Sequence, residues 1–491
     1  MLGKRLLLVT VLVSVAAASA CSSGIFGTDS VPPIPDQPPA PQAPLVVDGV
    51  RTSYADVVER TAAAVVRIEA ESRSRPAARQ PQGQNPLEDF FRQFPQQPGQ
   101  RSPVERGMGS GVIVSADGTI LTNAHVIEGA DRITVLLNDN KSFEAKVVGT
   151  DKPSDLAVLK IDAQNMPFLT LGNSDTVRVG DIVLAIGNPL GIGQTVTAGI
   201  ISAKGRRTGL SDGSFEDFLQ TDAPINRGNS GGALVNLSAE LIGINSQILS
   251  TSGGNIGIGF SIPSNMAKSV MDQLLANGRV RRGMLGVNIQ NITEDTATAL
   301  NLQERAGVLV SNVRAGSAAE KAGVKRGDII TAINGEKIDD GNVLRNKVAG
   351  TLPGTEIRLT VIRDGGSVDL TATLDEFDTE TSESSQTPGT GPEEAKPAGG
   401  RLGLTLQPVT PQVAKELGLN ENEGAVVTAV DEGGAGAEAG ISRGDVILEV
   451  NRRSVNSAER VQQALEGAGG RPVLLLVARR GQTVYITVRP R

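Results

Sequence analysis

Two passages of this 491-residue chain occur twice at one spacing. MLGVNIQNIT begins at Met284 and RLGLTLQPVT at Arg401, while AGVKRGDIITAING begins at Ala322 and AGISRGDVILEVNR at Ala439. Both pairs are offset by 117 residues. An unchanged offset over passages this long means two copies of one domain, and two copies make a tandem, not a solenoid. Between them, DEFDTETSESSQTPGTGPEEAKPAGG is an acidic Ser/Pro/Gly linker expected to stay disordered. Everything before Met284 must fold as something else.

The first residues read as an address. Lys4 and Arg5 precede an apolar core from Leu6 to Val15, and Ala18-Ser19-Ala20 forms a small-residue cleavage site. A core of about ten residues is too short for a stable membrane span, which needs roughly 20. The mature chain is therefore expected outside the cytoplasm. Cys21, the only cysteine, follows the cleavage site directly. Two readings stay open for it: the lipid-modified first residue of a lipoprotein, or an incidental neighbour of an Ala-x-Ala cut, since Ala18 stands where a lipoprotein signal has Leu. Either way the mature chain can form no internal disulfide.

Composition narrows the fold. Gly numbers 58 and Trp is absent, which suits many short strands and turns better than long packed helices. The formal charge is −7 with no Lys/Arg-rich block, which argues against a nucleic-acid partner. From Gly109 to Ile262, apolar runs of strand length such as GVIVS, RITVLL, LAVLKI, DIVLAIG and LIGINSQI are separated by turn residues. That pattern predicts an all-β barrel or sandwich. One helix follows, capped by Ser264, striped by Ala267, Val270, Met271, Leu274 and Leu275, and closed by Gly278. The expected partition is a leader over 1–20, a Pro-rich tether over 21–48, a β domain over 49–280 with a long loop over 71–106, a first repeat over 281–375, a linker over 376–400 and a second repeat over 401–491.

PINRGNSGGALV, from Pro224 to Val235, sets a lone serine among glycines at the mouth of a strand. A serine hydroxyl is a weak nucleophile and needs a base beside it. The chain holds one histidine, His125, at the end of an apolar run, so a base for Ser230 leaves no choice. An acid must then fix the imidazole tautomer. Of Asp131, Asp139, Asp151 and Asp155, only Asp155 directly precedes a run that must be buried, LAVLKI; the others stand in polar, turn-like text. A buried carboxylate is costly unless paired. The order His125, Asp155, Ser230 matches the chymotrypsin architecture and excludes an α/β-hydrolase, which needs a histidine after the serine. Gly tolerates unusual φ/ψ, so the amides of Gly228 and Ser230, flanking Asn229, can converge on an oxyanion. Gly231 and Gly232 are expected to leave room for a substrate backbone.

TNAHVI, SDLAVLKI, QTDAPINRGNSGGALVN and GGNIGIGFSIPSNM resemble the Do/HtrA (DegP-like) serine proteases of bacterial envelopes. The resemblance implies a mainly β architecture: a chymotrypsin-like double β-barrel protease domain followed by two PDZ domains. It implies His125 as base, Asp155 as its orienter, Ser230 as nucleophile, and the stretch Gly228, Asn229, Ser230 as oxyanion hole. NPLEDFFRQF resembles the family's loop that reaches a neighbouring subunit, which implies a trimer-based homo-oligomer. AKGRRTGLSDG resembles its regulatory sensor loop, with Arg207 as the sensing residue.

Ile225, Asn226 and Arg227, ahead of the nucleophile, are read as substrate contacts. They carry no acid, and the family likeness suggests a small apolar pocket for Val, Ala or Ile. In the repeats, Met284, Leu285, Gly286 and Val287, and likewise Leu402, Gly403 and Leu404, match a PDZ loop that grips a terminal carboxylate. GNPLGIG lacks the Lys-Ser/Thr of a phosphate loop, so no nucleotide, and no other cofactor or metal, is expected. The expected partners are unfolded or misfolded envelope proteins and peptides.

Overall fold

The computed structural model describes residues 46–47, 50–73, 104–188, 193–208, 215–226, 228–250, 254–302, 304–377, 402–417, 423–467 and 470–490. The leader, Cys21, the NPLEDFFRQF segment and nearly all of the linker lie outside them. The chain divides into two units, Met1–Thr52 and Ser53–Arg491. In the first, Val46–Val47 pairs antiparallel with Val50–Arg51.

The second unit begins with two closed barrels. The first is made of β1 (Val65–Arg73), β2 (Val104–Ile113), β3 (Thr119–Thr122), β4 (Arg132–Leu136), β5 (Ser142–Asp151) and β6 (Leu156–Ile161), in the order β1-β2-β3-β6-β5-β4. The second is made of β7 (Ile182–Gly187), β8 (Thr195–Arg206), β9 (Phe218–Thr221), β10 (Ala233–Asn236), β11 (Leu241–Ile248) and β12 (Gly259–Pro263), in the order β8-β9-β12-β11-β10-β7. Branched aliphatic residues fill the interiors. Val66, Ile68, Val112, Ile120 and Val135 are buried in the first, and Val183, Ile201, Leu219 and Ile242 in the second. Closure leaves no sheet edge open. LAVLKI is continuous because β6 is buried on both faces. Its inward side chains fill the barrel, and the helix Ser264–Asn277 covers its back. Removing one such anchor, Leu159→Ala, carries a cost of about 2–5 kcal/mol.

That helix, α1 (Ser264–Asn277), leaves the second barrel and packs on the first, with Leu274 Cδ2 only 2.9 Å from where a Cβ on Gly149 would stand. Gly278 ends it in the left-handed region, its N–H returning to the Leu274 carbonyl at 2.9 Å. Two details depart from the sequence reading. Ser264 is the first helical residue and does not cap: its hydroxyl donates to the Gly172 carbonyl at 2.6 Å, and Pro263 takes the N-cap place. Leu275 is 48% exposed, because the stripe facing the barrel is narrower: Ala267, Val270 and Leu274 are buried and Met271 packs against that core at its margin.

The repeats form two sheets of one topology. β13 (Val287–Asn291), β14 (Val308–Val313), β15 (Ile329–Ile333), β16 (Glu356–Arg363) and β17 (Gly366–Thr373) lie in chain order across the first. β18 (Leu404–Pro408), β19 (Ala425–Val430), β20 (Val446–Val450), β21 (Val473–Arg479) and β22 (Gln482–Val488) do the same in the second. Each has the same internal brace. Arg363 holds Asp328 through two hydrogen bonds of 2.7 Å, and Arg479 holds Asp445 at 2.7 and 2.6 Å. The two sheets meet along a shared apolar seam that includes Leu309, Ile329, Leu474 and Tyr485. There the Gln290 side-chain amide donates to the Tyr485 carbonyl at 2.9 Å, and its oxygen accepts the Tyr485 N–H at 2.7 Å.

Candidate active site

β3 runs out at Asn123, and a single helical turn, Ala124–Ile127, turns His125 inward. The partner arrives from β5 and β6. Between them the 3₁₀ turn Lys152–Ser154 ends on Asp155, which sits at φ +54, ψ +42. Aspartate is among the few side chains that visit this region. The position is held on several sides. The Asp155 N–H donates to Lys152 at 3.0 Å, and its carbonyl accepts from Ala124 N–H at 3.2 Å and Asn123 Nδ2 at 3.0 Å.

The carboxylate of Asp155 meets His125 Nδ1 at 2.8 and 2.9 Å, accepts the His125 amide at 3.1 Å and accepts the Ser246 hydroxyl at 3.0 Å. An ionised carboxylate only accepts, so Nδ1 carries the proton and Nε2 of the neutral ring is the basic nitrogen. Burial pulls the imidazole pKa down. The charge and hydrogen bond of Asp155, with Glu128 adding to them, outweigh that, and the net shift is upward.

Ser230 is partly exposed, in a loop tied to both barrels. Its carbonyl accepts the Ser110 N–H of β2 at 2.8 Å. On the other side, the Gly231 N–H donates to Asn245 of β11 at 2.8 Å. Asn229 is buried, its N–H closing a turn to the Asn226 carbonyl at 3.0 Å. Gly231, at φ +81, corrects one expectation. A Cβ there would stand 2.1 Å from the Ser110 carbonyl oxygen and 2.4 Å from Thr122 Oγ1, and one on Gly232 would stand 2.2 Å from the Ile186 carbonyl oxygen. These glycines face the protein's own backbone and do not open space for a substrate. The seating has a consequence: the serine loop rests on Thr122, the last residue of the strand that delivers His125.

The chain matches the trypsin-like peptidase domain family over residues 109–244 and the PDZ domain family over 283–374 and 426–479. It is 41% identical over 488 residues to the periplasmic pH-dependent serine endoprotease DegQ of Escherichia coli, covering 98% of this chain and 99% of that one. The chain belongs to the DegP/DegQ serine endoproteases. It is a serine endopeptidase, with a chymotrypsin-like double barrel followed by PDZ domains. A DegP-like endoprotease of Chlamydia trachomatis is 43% identical over 408 residues, covering 82% of this chain and 79% of its own. Among solved structures, the HtrA-type protease AlgW with tripeptide is 44% identical, with a TM-score of 0.55, covering 66% of this chain and 98% of that chain.

The remaining predicted positions of this DegP-like chain fall as follows. Ile225 is buried in the second barrel's core, and Asn226 is exposed, its Oδ1 accepting from the Asn255 N–H at 3.2 Å. Arg227 lies outside the described residues, as do residues 209–213 of the sensor-like loop. Arg207 is exposed where β8 ends. C-terminal to that loop, the buried Glu216 offers its carbonyl to Asn342 and Asn346 of the first PDZ domain at 2.9 and 2.8 Å.

In the PDZ loops the Leu285 carbonyl accepts the Ala319 N–H at 2.8 Å, and Gly286 accepts the Arg314 N–H at 2.9 Å. The second copy repeats this with Leu402 to Gly436 at 2.9 Å and Gly403 to Asp431 at 2.8 Å. In a trans peptide the N–H opposes the C=O, so the amides of Gly286 and Val287, and of Gly403 and Leu404, point away from the domain body. Gly286, at φ +80, has no room for a Cβ, which would stand 2.3 Å from that of Ser317. Met284 and Val287 are half-buried, while Leu285, Leu402 and Leu404 are buried.

Three site residues were not found by reading the sequence. Ser246 had a signal, as a polar residue inside the apolar run GINSQI. Ser110 had a weaker one, between glycines ahead of GVIV. Asp151 was set aside as turn-like. It is buried, accepts the Ser154 N–H at 3.1 Å and pairs with Arg282.

Proposed function

We propose that His125, Asp155 and Ser230 are the catalytic triad. The observation that carries this reading is the His125 Nδ1–Asp155 pair at 2.8 Å beside a serine loop seated on the histidine's own strand. In this reading His125 Nε2 takes the Ser230 hydroxyl proton as the oxygen attacks the scissile carbonyl. Asp155 holds the tautomer and stabilises the imidazolium. The tetrahedral oxyanion is met by the amides of Gly228 and Ser230, that of Asn229 being turned to the Asn226 carbonyl, and a donor there is worth roughly 2.7–4 kcal/mol. The imidazolium then gives its proton to the leaving amine, and water releases the acyl group by the same steps in reverse.

The substrates are unfolded or misfolded exported proteins of the periplasm, degraded without ATP. The two outward-facing amide pairs, at Gly286–Val287 and Gly403–Leu404, support capture of C-terminal carboxylates or apolar peptides by strand addition. Cleavage after Val, Ala or Ile is part of this reading, supported by the apolar Ile225, which lies five residues ahead of Ser230 in the chain and packs on Gly259. Domain limits of 49–280, 281–375 and 401–491, a trimer-based assembly, a sensing role for Arg207 and a lipid anchor at Cys21 belong to the same proposal. Casein digestion by wild type and Ser230→Ala tests it. Loss of digestion in the variant is expected. Equal digestion by both removes Ser230 as nucleophile, and suppression of aggregation by both without digestion makes the protein a holdase.

A further inference from the structure

Ser110 of β2 is 0% exposed, and every polar atom it has is engaged: its N–H and hydroxyl across the seam between the barrels, its carbonyl within its own barrel. Its N–H donates to the Ser230 carbonyl at 2.8 Å, and its carbonyl accepts the Thr122 hydroxyl at 2.7 Å. Its own hydroxyl donates to the Gly228 carbonyl at 2.5 Å and accepts the Asn188 N–H at 2.8 Å. A hydroxyl has one proton to give, and here it goes to the loop.

The backbone of that loop needs such a hold. Gly228 lies at φ +100 and Gly231 at φ +81, and glycine has little conformational preference of its own to keep them there. A peptide unit is a rigid plane, so fixing its carbonyl fixes the N–H on its other side. From Gly228 to Gly231 there are three such planes. The Ser110 hydroxyl fixes the first through the Gly228 carbonyl. The Gly232 N–H fixes the second through the Asn229 carbonyl at 2.9 Å, and with it the amide of Ser230. The Ser110 N–H fixes the third through the Ser230 carbonyl. Two of the three holds come from one residue, and that residue sits on the barrel that carries His125.

We propose that Ser110 is a positioning residue of the protease: its hydroxyl locks the Gly228–Asn229 peptide, the plane between the Gly228 and Ser230 amides, and so fixes the direction of those two amides relative to each other and to the oxyanion. The inference rests on Ser230 being the nucleophile. Ser110→Ala removes the lock. Ser110→Cys is nearly isosteric and keeps a weak S–H donor.

Both variants are assayed on a chromogenic peptide and with a peptide aldehyde, whose hemiacetal oxygen occupies the oxyanion's place. Ser110→Ala is expected to lower kcat about 10- to 100-fold, below the loss for deleting a donor outright, with KM within about threefold. Aldehyde inhibition should weaken by the same factor as kcat/KM, and Ser110→Cys should fall between. A purely structural residue would lower the melting temperature and leave kcat and aldehyde affinity alone. That result, or kcat within twofold of wild type in Ser110→Ala, overturns the proposal. If Ser110→Ala does not fold, full activity and full aldehyde affinity in Ser110→Cys overturn it equally. Ser230→Ala separates the two readings. If it is inactive while both Ser110 variants are fully active, only the positioning role fails; if it is active, the nucleophile reading fails.

Discussion

Arg282 grips Asp151 with two hydrogen bonds of 2.7 and 2.5 Å, joining the start of the first PDZ domain to the end of β5. The two side chains are 9% and 6% exposed. The guanidinium lies over the Phe215 ring at 4.6 Å, and that ring meets Phe377 edge-on at 5.8 Å. Asp151 also caps the turn that ends at Asp155.

A buried pair broken on one side leaves a charge that nothing offsets. Arg282→Met is therefore expected to cost about 3–5 kcal/mol in urea unfolding. Removing the stranded charge as well, in Asp151→Asn/Arg282→Met, should recover part of that loss. A double variant no more stable than Arg282→Met would contradict this account.

The raised pKa of His125 sets a pH dependence. In the base role proposed for it, His125 must be neutral, so kcat/KM should rise with pH through an apparent pKa above the usual 6.5. Asp155→Asn removes the main charge holding the imidazolium, and the limb should move to lower pH while the rate falls steeply. The lone histidine gives a single imidazole resonance with which to check the shift by NMR. The same shift favours the folded state below pH 6.5, an advantage lost as pH rises through the folded-state value.

Asp217 titrates in the opposite sense for a carboxylate. Burial first, then the neighbouring Asp175 and Asp340, push it up to about 6, against the pull of Lys204 and Lys347. Its native state binds the proton more tightly than the unfolded chain. Stability from this group is thus present at low pH and is lost as pH rises from about 4 through about 6. Urea unfolding of wild type and Asp217→Asn should show the variant gaining on wild type across that window. Parallel curves would refute the assignment.

At the PDZ seam, Gln290 satisfies both backbone groups of Tyr485 on the outer edge of β22. Gln290→Ala strips both bonds from a half-buried strand edge, at a cost of roughly 1–3 kcal/mol. The two PDZ domains should then tumble more independently in NMR relaxation. Unchanged relaxation would show that the apolar seam alone fixes the tandem.

Much of this architecture was legible in local text. The repeated passages gave the tandem, and apolar runs between turn residues gave the barrels, because strand periodicity and turn chemistry are local properties. His125 and Asp155 could be paired on paper because one histidine and one carboxylate before a buried run left few alternatives. Asp151 could not be. Its burial depends on Arg282, 131 residues away, and nothing in DKPSD reveals that a guanidinium will cover it. Ser264 was misassigned as a cap because Gly172, from a distant loop, takes its proton. Gly231 and Gly232 were given to a substrate because sequence shows that a backbone can come close, not which backbone does.

The left-handed backbone of Asp155 bears on how its chemistry is to be measured. Alanine at that position would remove a charge and also hold φ +54 without a polar side chain to brace it, so a slow enzyme would report strain and chemistry together. Asparagine keeps the shape and accepts the same dihedral. Of the simple exchanges, it is the one whose kinetics speak for the lost charge and the imidazole tautomer it holds, with the backbone left out of the result.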